Sequence, residues 1–394
     1  MANDVFNIKT DVRIQFEVSL NGAFLSGLSN LNGPQTLGVS TGKTWTDVAT
    51  EVIELETDRG TAMENGIYSI PRPGTAYVKM QSDYWDPYNN PQIHAGTNAR
   101  IQYRHRPDTD PTVWTTLFTG SVKSFNVSYD YWGNNTITFN LVDYLQAWIN
   151  TTTGNIAQGY SPVTYGTLFD ILGVYWPNVD VVKTTTATAQ FPDYTSTTLT
   201  VGSVINEMNI AELGFVYCGR NGGLRNLSRL DIRSNLDLGP TIFFSTVHSS
   251  DSSHVCMTDL NLNSDSTDLP TVIKATQKGT STVRVKTNQD AKDLYGYIRS
   301  DVDLNLYSPD DMDLWTAFAA TALNINRVKG VSYTATNRDG TVRDLNLAER
   351  LYKCVNVYYN KGNVILDSNH LITRVLDRIT AESWDVTLEL WKGF

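Results

Sequence analysis

The sequence has little charge, few cysteines and no long apolar run. Of its 394 residues only 18% are charged, against roughly 25% in an average globular protein. The three cysteines, Cys218, Cys256 and Cys354, are odd in number and far apart, which excludes a disulfide framework and paired zinc ligands and predicts thiols made in a reducing cytoplasm. No apolar run approaches the ~20 residues of a membrane span, and the amino terminus has no signal region. We therefore expect no membrane insertion by the protein itself.

Recognised enzyme motifs are also missing. The sequence lacks the nucleophile elbow of hydrolases, the phosphate-binding loop, the paired-cysteine redox motif and the zinc-protease motif. The formal net charge of −10 has the wrong sign for a protein that binds nucleic acid over its whole surface. We predict that the protein is not an enzyme and has no catalytic residues, no metal and no cofactor.

A few patterns resemble metal sites but have simpler explanations. His248 and His254 lie in a serine-rich segment beside Asp251 and Cys256, which is more typical of a solvated turn than of a ligand set. The oxygen-rich stretch 261–268 lacks the glycine and the final glutamate of a calcium loop. The acidic residues of the segment SPDDMD, which begins at Ser308, are explained by capping at a helix start.

One pair of carboxylates is the only candidate for glycoside hydrolysis that we nominate. Asp83 and Asp86 are three residues apart in the segment SDYWDPYNNP, which also contains Asn89 and Asn90. Asp and Asn beside proline most often bond nearby backbone amides and set turns. We predict that these residues shape the chain.

The abundant residues are Thr, Asn, Ser and aromatics, which suit pleated sheets with neutral surfaces. We predict an α+β, β-dominated chain in three parts. A β-rich domain spans 1–149, a small α/β region 150–228, and a second β-rich domain 229–394 with one helix inserted at 309–327.

The helices are predicted by apolar residues at positions i, i+3, i+4 and i+7. This spacing occurs from Tyr165 to Leu172 and again from Val201 to Met208. The third helix begins with Ser308 as the N-cap and Pro309 in the first turn.

The clearest strand runs from Ala99 to Arg106. Apolar or aromatic residues alternate with Arg100, Gln102, Arg104 and Arg106, which is the period of a strand. The arginine face is either a solvated strand face, a contact between subunits, or the wall of a passage for DNA. Among the functional readings we favour a subunit-interface or lumen face made by Arg100, Arg104 and Arg106.

The order of several motifs resembles that of the baseplate hub, or minor tail, proteins at the tail tip of long-tailed bacteriophages. The motifs are DYWDP, HAGTNARIQYR, TTLFTGSV and FNLVDYLQAW in the first third, TLFDILGVYWP and TLTVGSVINEMNIAELGFVYCGRNGGLR in the middle, and LITRVLDRITAESWDVTLELW at the end. Each motif is short, but the ordered series covers nearly the whole chain.

The resemblance implies a structural homotrimer of the virion, assembled in the host bacterial cytoplasm. Two β-barrel-like hub domains per subunit would form a ring of six similar domains, matching the sixfold tail above and the threefold fibre below. The partners would be the distal tail or tube protein and the central fibre or tail-tip proteins, and DNA would pass through the channel without specific binding. Since the chain stops at Phe394, we expect host recognition and wall degradation to belong to other subunits.

Two alternatives stay open at this point. One is a related ring component, such as a hexameric distal tail protein. The other is a tail protein that binds or cleaves host polysaccharide, which the 9 Trp and 20 Tyr would suit.

Overall fold

The computed structural model of the chain is dominated by β-strands. The structure describes residues 10–19, 43–47, 52–64, 67–82, 85–90, 92–105, 114–131, 135–153, 162–174, 181–183, 189–192, 199–246, 253–262, 270–321, 328–334, 350–361, 364–380 and 383–392. Contacts divide the chain into two compact units. The first comprises 1–57, 75–143 and 378–383, and the second comprises 58–74, 144–377 and 384–394.

The strands and helices are numbered in chain order. The strands up to the first helix are β1 Thr10–Ser19, β2 Lys43–Asp47, β3 Val52–Gly60, β4 Ala62–Glu64, β5 Tyr68–Ile70, β6 Thr75–Gln81, β7 Asn98–His105, β8 Thr115–Tyr129 and β9 Asn135–Val142. The helices are α1 Tyr144–Ile149, α2 Tyr165–Gly173, α3 Val201–Glu212, α4 Arg229–Asp237, α5 Gln289–Tyr295 and α6 Pro309–Thr321. The remaining strands are β10 Val163–Thr164, β11 Val181–Val182, β12 Gln190–Phe191, β13 Phe215–Cys218, β14 Leu224–Leu227, β15 Ile242–Ser245, β16 His254–Cys256, β17 Asp259–Leu262, β18 Val272–Gln277, β19 Val283–Thr287, β20 Arg299–Leu304, β21 Val328–Thr334, β22 Cys354–Lys361, β23 Val364–Thr380 and β24 Trp384–Trp391.

The first unit is built on an antiparallel sheet with the strand order β6-β9-β8-β7-β1-β2. Alternation along each strand sends one set of side chains into a core that contains Ile14, Phe16, Ile101 and Phe139, all fully buried. The rings of Phe16 and Phe139 lie 5.0 Å apart. The predicted β-rich character of this region is confirmed, whereas the described strands form no closed barrel, so barrel-like closure stays a prediction.

The second unit has a helical core beside its sheets. Trp148 of α1 and Trp315 of α6 are fully buried in it, and each indole N–H donates to a backbone carbonyl, Trp148 to Leu172 at 3.1 Å and Trp315 to Ile210 at 2.6 Å. Large aromatic side chains bury much apolar area, and the bonded indole removes the cost of burying a polar group. The predicted helices α2 and α3 supply nine of the other apolar side chains of this core.

Helix α3 ends at a close approach of the backbone. Leu213 adopts a left-handed φ of 56°, and the next residue, Gly214, donates its N–H to Asn209. A Cβ on Gly214 would lie 2.6 Å from the Leu227 carbonyl oxygen and 2.7 Å from the Tyr165 hydroxyl. Only glycine fits at this position, where the chain leaves helix α3.

The C-terminal part contains more helix than the sequence predicts. One helix is expected within 229–394, but α4 and α5 are present in addition to α6. Helix α4 begins with a capping box in which Ser228 and Asp231 bond each other's backbone N–H groups. Helix α6 begins at Pro309 as predicted, and 322–327, the predicted end, lies outside the described residues. No helix in the described part of the chain is long and apolar enough to cross a membrane.

A buried ion pair links the end of the second unit's chain to its core. Arg350 Nη2 donates to both carboxylate oxygens of Asp377, at 2.7 and 2.9 Å, and Nη1 donates to the Tyr333 hydroxyl at 3.1 Å. The Trp384 indole donates to Asp377 at 3.0 Å. The side chains of Arg350 and Asp377 are 2% and 0% exposed. Removal of either residue would therefore leave the charge of the other buried without an opposite charge.

We expect Asp377→Ala to lower the free energy of unfolding by about 3 to 5 kcal/mol, because the Arg350 charge is left buried without its carboxylate. Urea denaturation of the purified protein measures this change. Asp301→Ala is the matched control, since Asp301 pairs with Arg299 at the surface and exposed pairs contribute less than about 1 kcal/mol. Equal losses in the two variants would contradict the assignment.

A buried histidine predicts how stability depends on pH. His370 on β23 is fully buried, its Nδ1 lies 3.0 Å from the Ser368 carbonyl, and its Nε2 has no hydrogen-bond partner. Burial lowers the pKa of His370 to about 4 from 6.5. Between these values the unfolded chain binds a proton that the native protein does not, so stability falls as the pH is lowered through this window.

We expect the loss from His370 to reach about 3 kcal/mol at pH 4 and to be absent in His370→Phe. Urea denaturation at a series of pH values between 7 and about 4 measures it. His94→Gln changes an exposed imidazole and should retain the loss. A pH profile identical in the wild type and His370→Phe would refute this prediction.

Candidate assembly face of the first unit

Strand β7 has the two faces that its sequence predicts. Ala99, Ile101 and Tyr103 are fully buried on one face, while Arg100 and Gln102 lie on the other. The backbone of Arg104 pairs with Asp11 of β1, but the side chain of Arg104 and the whole of Arg106 lie outside the described residues. The structure therefore describes one of the three predicted arginines in full.

Arg100 is held by two groups from neighbouring strands. Its Nε donates to Gln15 Oε1 at 2.6 Å, and its guanidinium carbon lies 4.4 Å from the centroid of the Trp45 ring. A guanidinium over an indole face is attracted by the negative face of the ring. Burial lowers the pKa of Arg100 from its ordinary value, and the nearby charge of Arg13 lowers it further.

Arg13 on β1 repeats this arrangement. Its Nε and Nη2 donate to Gln102 Oε1 at 3.0 and 2.8 Å, and its guanidinium carbon lies 4.0 Å from the Trp114 ring centroid. Gln102 in turn donates to Thr116 at 3.2 Å. Arg13 is opposite Gln102, and Gln15 is opposite Arg100, in the β1–β7 register. Each strand therefore contributes one arginine and one glutamine, and each arginine bonds the glutamine of the other strand.

We call these four side chains, Arg13, Gln15, Arg100 and Gln102, the arginine–glutamine ladder. One further bond continues it along the sheet, from Asn98 to Glu17 at 2.7 Å. The two glutamines are 5% and 6% exposed although they lie on the outer face, because the arginines and tryptophans cover them. The ladder is thus a fixed cationic and aromatic surface.

Strands β8 and β9 continue the sheet with a row of uncharged side chains, flanked by the exposed Lys123 of β8 and by Lys79 of β6, which is opposite Thr138. Cross-strand pairs of β8 and β9 align six small polar residues, which we call the neutral ladder: Ser124, Asn126, Ser128, Thr136, Thr138 and Asn140. Asn140 donates to Ser124 at 3.1 Å, and all six are at least partly exposed. This row is not among the predicted sites, although its period of two is present in SFNVSY and NTITFN.

Asp86, the nominated catalytic carboxylate, is a structural residue. It is fully buried, and its side chain accepts bonds from the Tyr88 backbone N–H at 2.9 Å and the Tyr129 hydroxyl at 2.6 Å. Its carbonyl accepts from the N–H groups of Asn89 and Asn90. The hydrogen bond to Asp86 raises the pKa of Tyr129 to about 12. The predicted turn role is confirmed for Asp86, and Asp83 lies outside the described residues.

The other patterns also have structural roles where they are described. His248 and Asp251 lie outside the described residues, and the His254 ring stacks on Phe243 with centroids 5.1 Å apart. Most of the stretch 261–268 is likewise outside them. Asp310 and Asp311 lie in the first turn of α6, and Asp310 N–H bonds Ser308. Within the described part of the chain, no group of three or more His, Cys, Asp or Glu side chains could hold a metal.

Comparison by sequence finds no relative, since no protein-family model and no curated protein matches the chain. Comparison with solved structures finds several similar proteins. The tail protein from Neisseria meningitidis MC58 matches with a TM-score of 0.62 at 9% identity, over 97% of this chain and 96% of that chain. The 43 kDa tail protein of prophage MuSo2 from Shewanella oneidensis matches with a TM-score of 0.61 at 10% identity, over 97% and 98%.

The chain has the fold of prophage tail proteins. The prophage tail protein gp18 from Listeria monocytogenes EGD-e also matches, with a TM-score of 0.51 at 11% identity over 97% of this chain and 95% of that chain. A chain of the Francisella PdpA–VgrG complex matches with a TM-score of 0.54 at 12% identity, over 99% of this chain but 53% of that one. The tail-protein resemblance seen in the motif order is confirmed in the fold.

We expect Arg100→Lys to lower the free energy of unfolding by about 1 kcal/mol, because an ammonium cannot both bond Gln15 and lie flat over Trp45. Urea denaturation measures the change. Lys123→Arg alters an exposed cation on β8 of the same unit and should change stability by less than about 0.5 kcal/mol. If Arg100→Lys is as stable as Lys123→Arg, the stacked geometry contributes nothing.

Proposed function

We propose that this protein is a structural subunit of a bacteriophage tail tip, where it assembles as a homotrimeric baseplate hub. The observation that carries the proposal is the match to two tail proteins over nearly the whole of both chains. A match of this extent leaves little of the chain for an added catalytic module. We propose that the protein is not an enzyme. The full burial of Asp86, the nominated catalytic carboxylate, supports this proposal.

A symmetry argument supports the proposed trimer. Two β-rich, barrel-like domains per subunit, 1–149 and 229–394, with 150–228 between them, would give six similar domains in a closed ring of three subunits. Such a ring adapts a sixfold tail to a threefold fibre. Its partners would be the distal tail or tube protein on one side and the central fibre or tail-tip proteins on the other, and its location would be the virion tail tip after assembly in the host cytoplasm.

The two ladders supply surfaces of different chemistry for these roles. We assign the neutral ladder to the wall of the DNA channel, because uncharged side chains neither retain nor repel the phosphate backbone. We assign Arg100, with Arg104 and Arg106, to a subunit contact. The Nη groups of Arg100 keep donors for an acidic partner, and a second copy of a chain with net charge −10 is acidic.

The test is cryo-electron microscopy of the phage tail, combined with light scattering of the purified protein. We expect three copies around the tail axis, with the neutral ladder facing the lumen. Six copies in the ring would instead support the distal tail component. A monomer that is absent from purified tails would reject the proposed function.

A further inference from the structure

A polar cleft in the second unit has no role in the proposed hub. Its volume is about 540 Å³, within the range of small-molecule sites. It opens on the outer face of the β22–β23 hairpin, next to the C-terminal end of α4. Its lining is Leu236, Asn356, Asp367, Ser368, Asn369 and Lys392.

Hydrogen bonds fix the planar groups of this cleft. Asn356 Nδ2 donates to Asp367 Oδ1 at 2.9 Å and to Asn369 Oδ1 at 3.0 Å, linking the two strands. Asn356 is opposite Asn369 in the register, and both point away from the core side, where Val355 and Val357 are fully buried. The exposed Asp367 and Asn369 therefore present their remaining oxygens and amide hydrogens in set directions.

Aromatic rings continue the same face on the adjoining strands. Phe243 of β15 is the register neighbour of Asn356, and His254 of β16 is the neighbour of Phe243. The two rings stack with an interplanar angle of 17°, and both are partly exposed. Tyr358, opposite Asp367, is 40% exposed. The row His254–Phe243–Asn356–Asn369 thus places two aromatic rings beside two amide side chains. The Asp367 carboxylate bonds one of these amides, Asn356.

We propose that this face binds a saccharide unit of a cell-surface glycan. Adjacent sugar hydroxyls both donate and accept, and planar amide and carboxylate groups match them with two bonds at once. The apolar C–H face of a sugar ring packs on exposed aromatic rings. The Asp367 carboxylate and the Lys392 ammonium together give the lining no net positive charge with which to bind a nucleic acid. The site adds glycan binding to the hub and departs from the expectation that host recognition belongs to other subunits.

The test uses the purified full-length protein on a printed array of oligosaccharides that contain hexose, N-acetylhexosamine and uronic acid units. The strongest ligand is then titrated by calorimetry. We expect Asp367→Ala and Asn369→Ala each to weaken binding about tenfold, since each removes a bond from a polar group of the cleft. Both residues are exposed, so the variants should fold normally, as circular dichroism checks.

Asp303→Ala is the matched control, because Asp303 is an exposed strand aspartate of the same unit on β20. It should bind the glycan as the wild type does. The inference is overturned if no oligosaccharide binds, or if the cleft variants bind as tightly as Asp303→Ala. The array measures glycan binding by the purified protein, without phage tails. The proposed hub is tested separately, by the number of copies in the particle, so either proposal can fail without the other.

Discussion

The register between β1 and β7 is the constraint on which the first unit depends. It pairs strands that are more than eighty residues apart in the chain, and it sets Arg13 opposite Gln102 and Gln15 opposite Arg100. A shift of one residue would turn the arginines into the core and Ile101 and Tyr103 into water. The pairings of β7 with β8 and of β8 with β9 each contain a register shift, and the second pairing aligns the neutral ladder. The β1–β7 register thus determines the core and the arginine–glutamine ladder.

Local structure is largely readable from the sequence, because it depends on nearby residues. The i, i+3, i+4 spacing predicts α2 and α3, Ser308 and Pro309 predict the start of α6, and the alternation at Ala99 to Tyr103 predicts β7. Helix α4 is not predicted, although the sequence signal for its start is present, since Ser228 and Asp231 have the spacing of a capping box. The partners of Arg100 are missed for a different reason. Gln15 and Trp45 are distant in sequence, and only the sheet brings them together.

Arginine has two uses in this structure. On the outer face of the first unit, Arg13 and Arg100 bond neutral glutamines and stack on indoles, so their charge remains uncompensated by these partners. In the second unit, Arg350 is buried and fully matched to the Asp377 carboxylate. The first arrangement places guanidinium groups on the outer face among neutral partners, whereas the second pairs a buried guanidinium with a buried carboxylate. The same residue type therefore carries a candidate interface in one unit and stability in the other.

The arginine–glutamine ladder also has a chemical property that a carboxylate or histidine pairing would lack. Guanidinium groups remain protonated well above neutral pH, and glutamine amides and indoles do not titrate in water at all. The bonds among the four side chains of the ladder therefore neither gain nor lose protons from acidic to alkaline surroundings. This part of the outer face of the first unit would keep one electrostatic state over that whole range of pH.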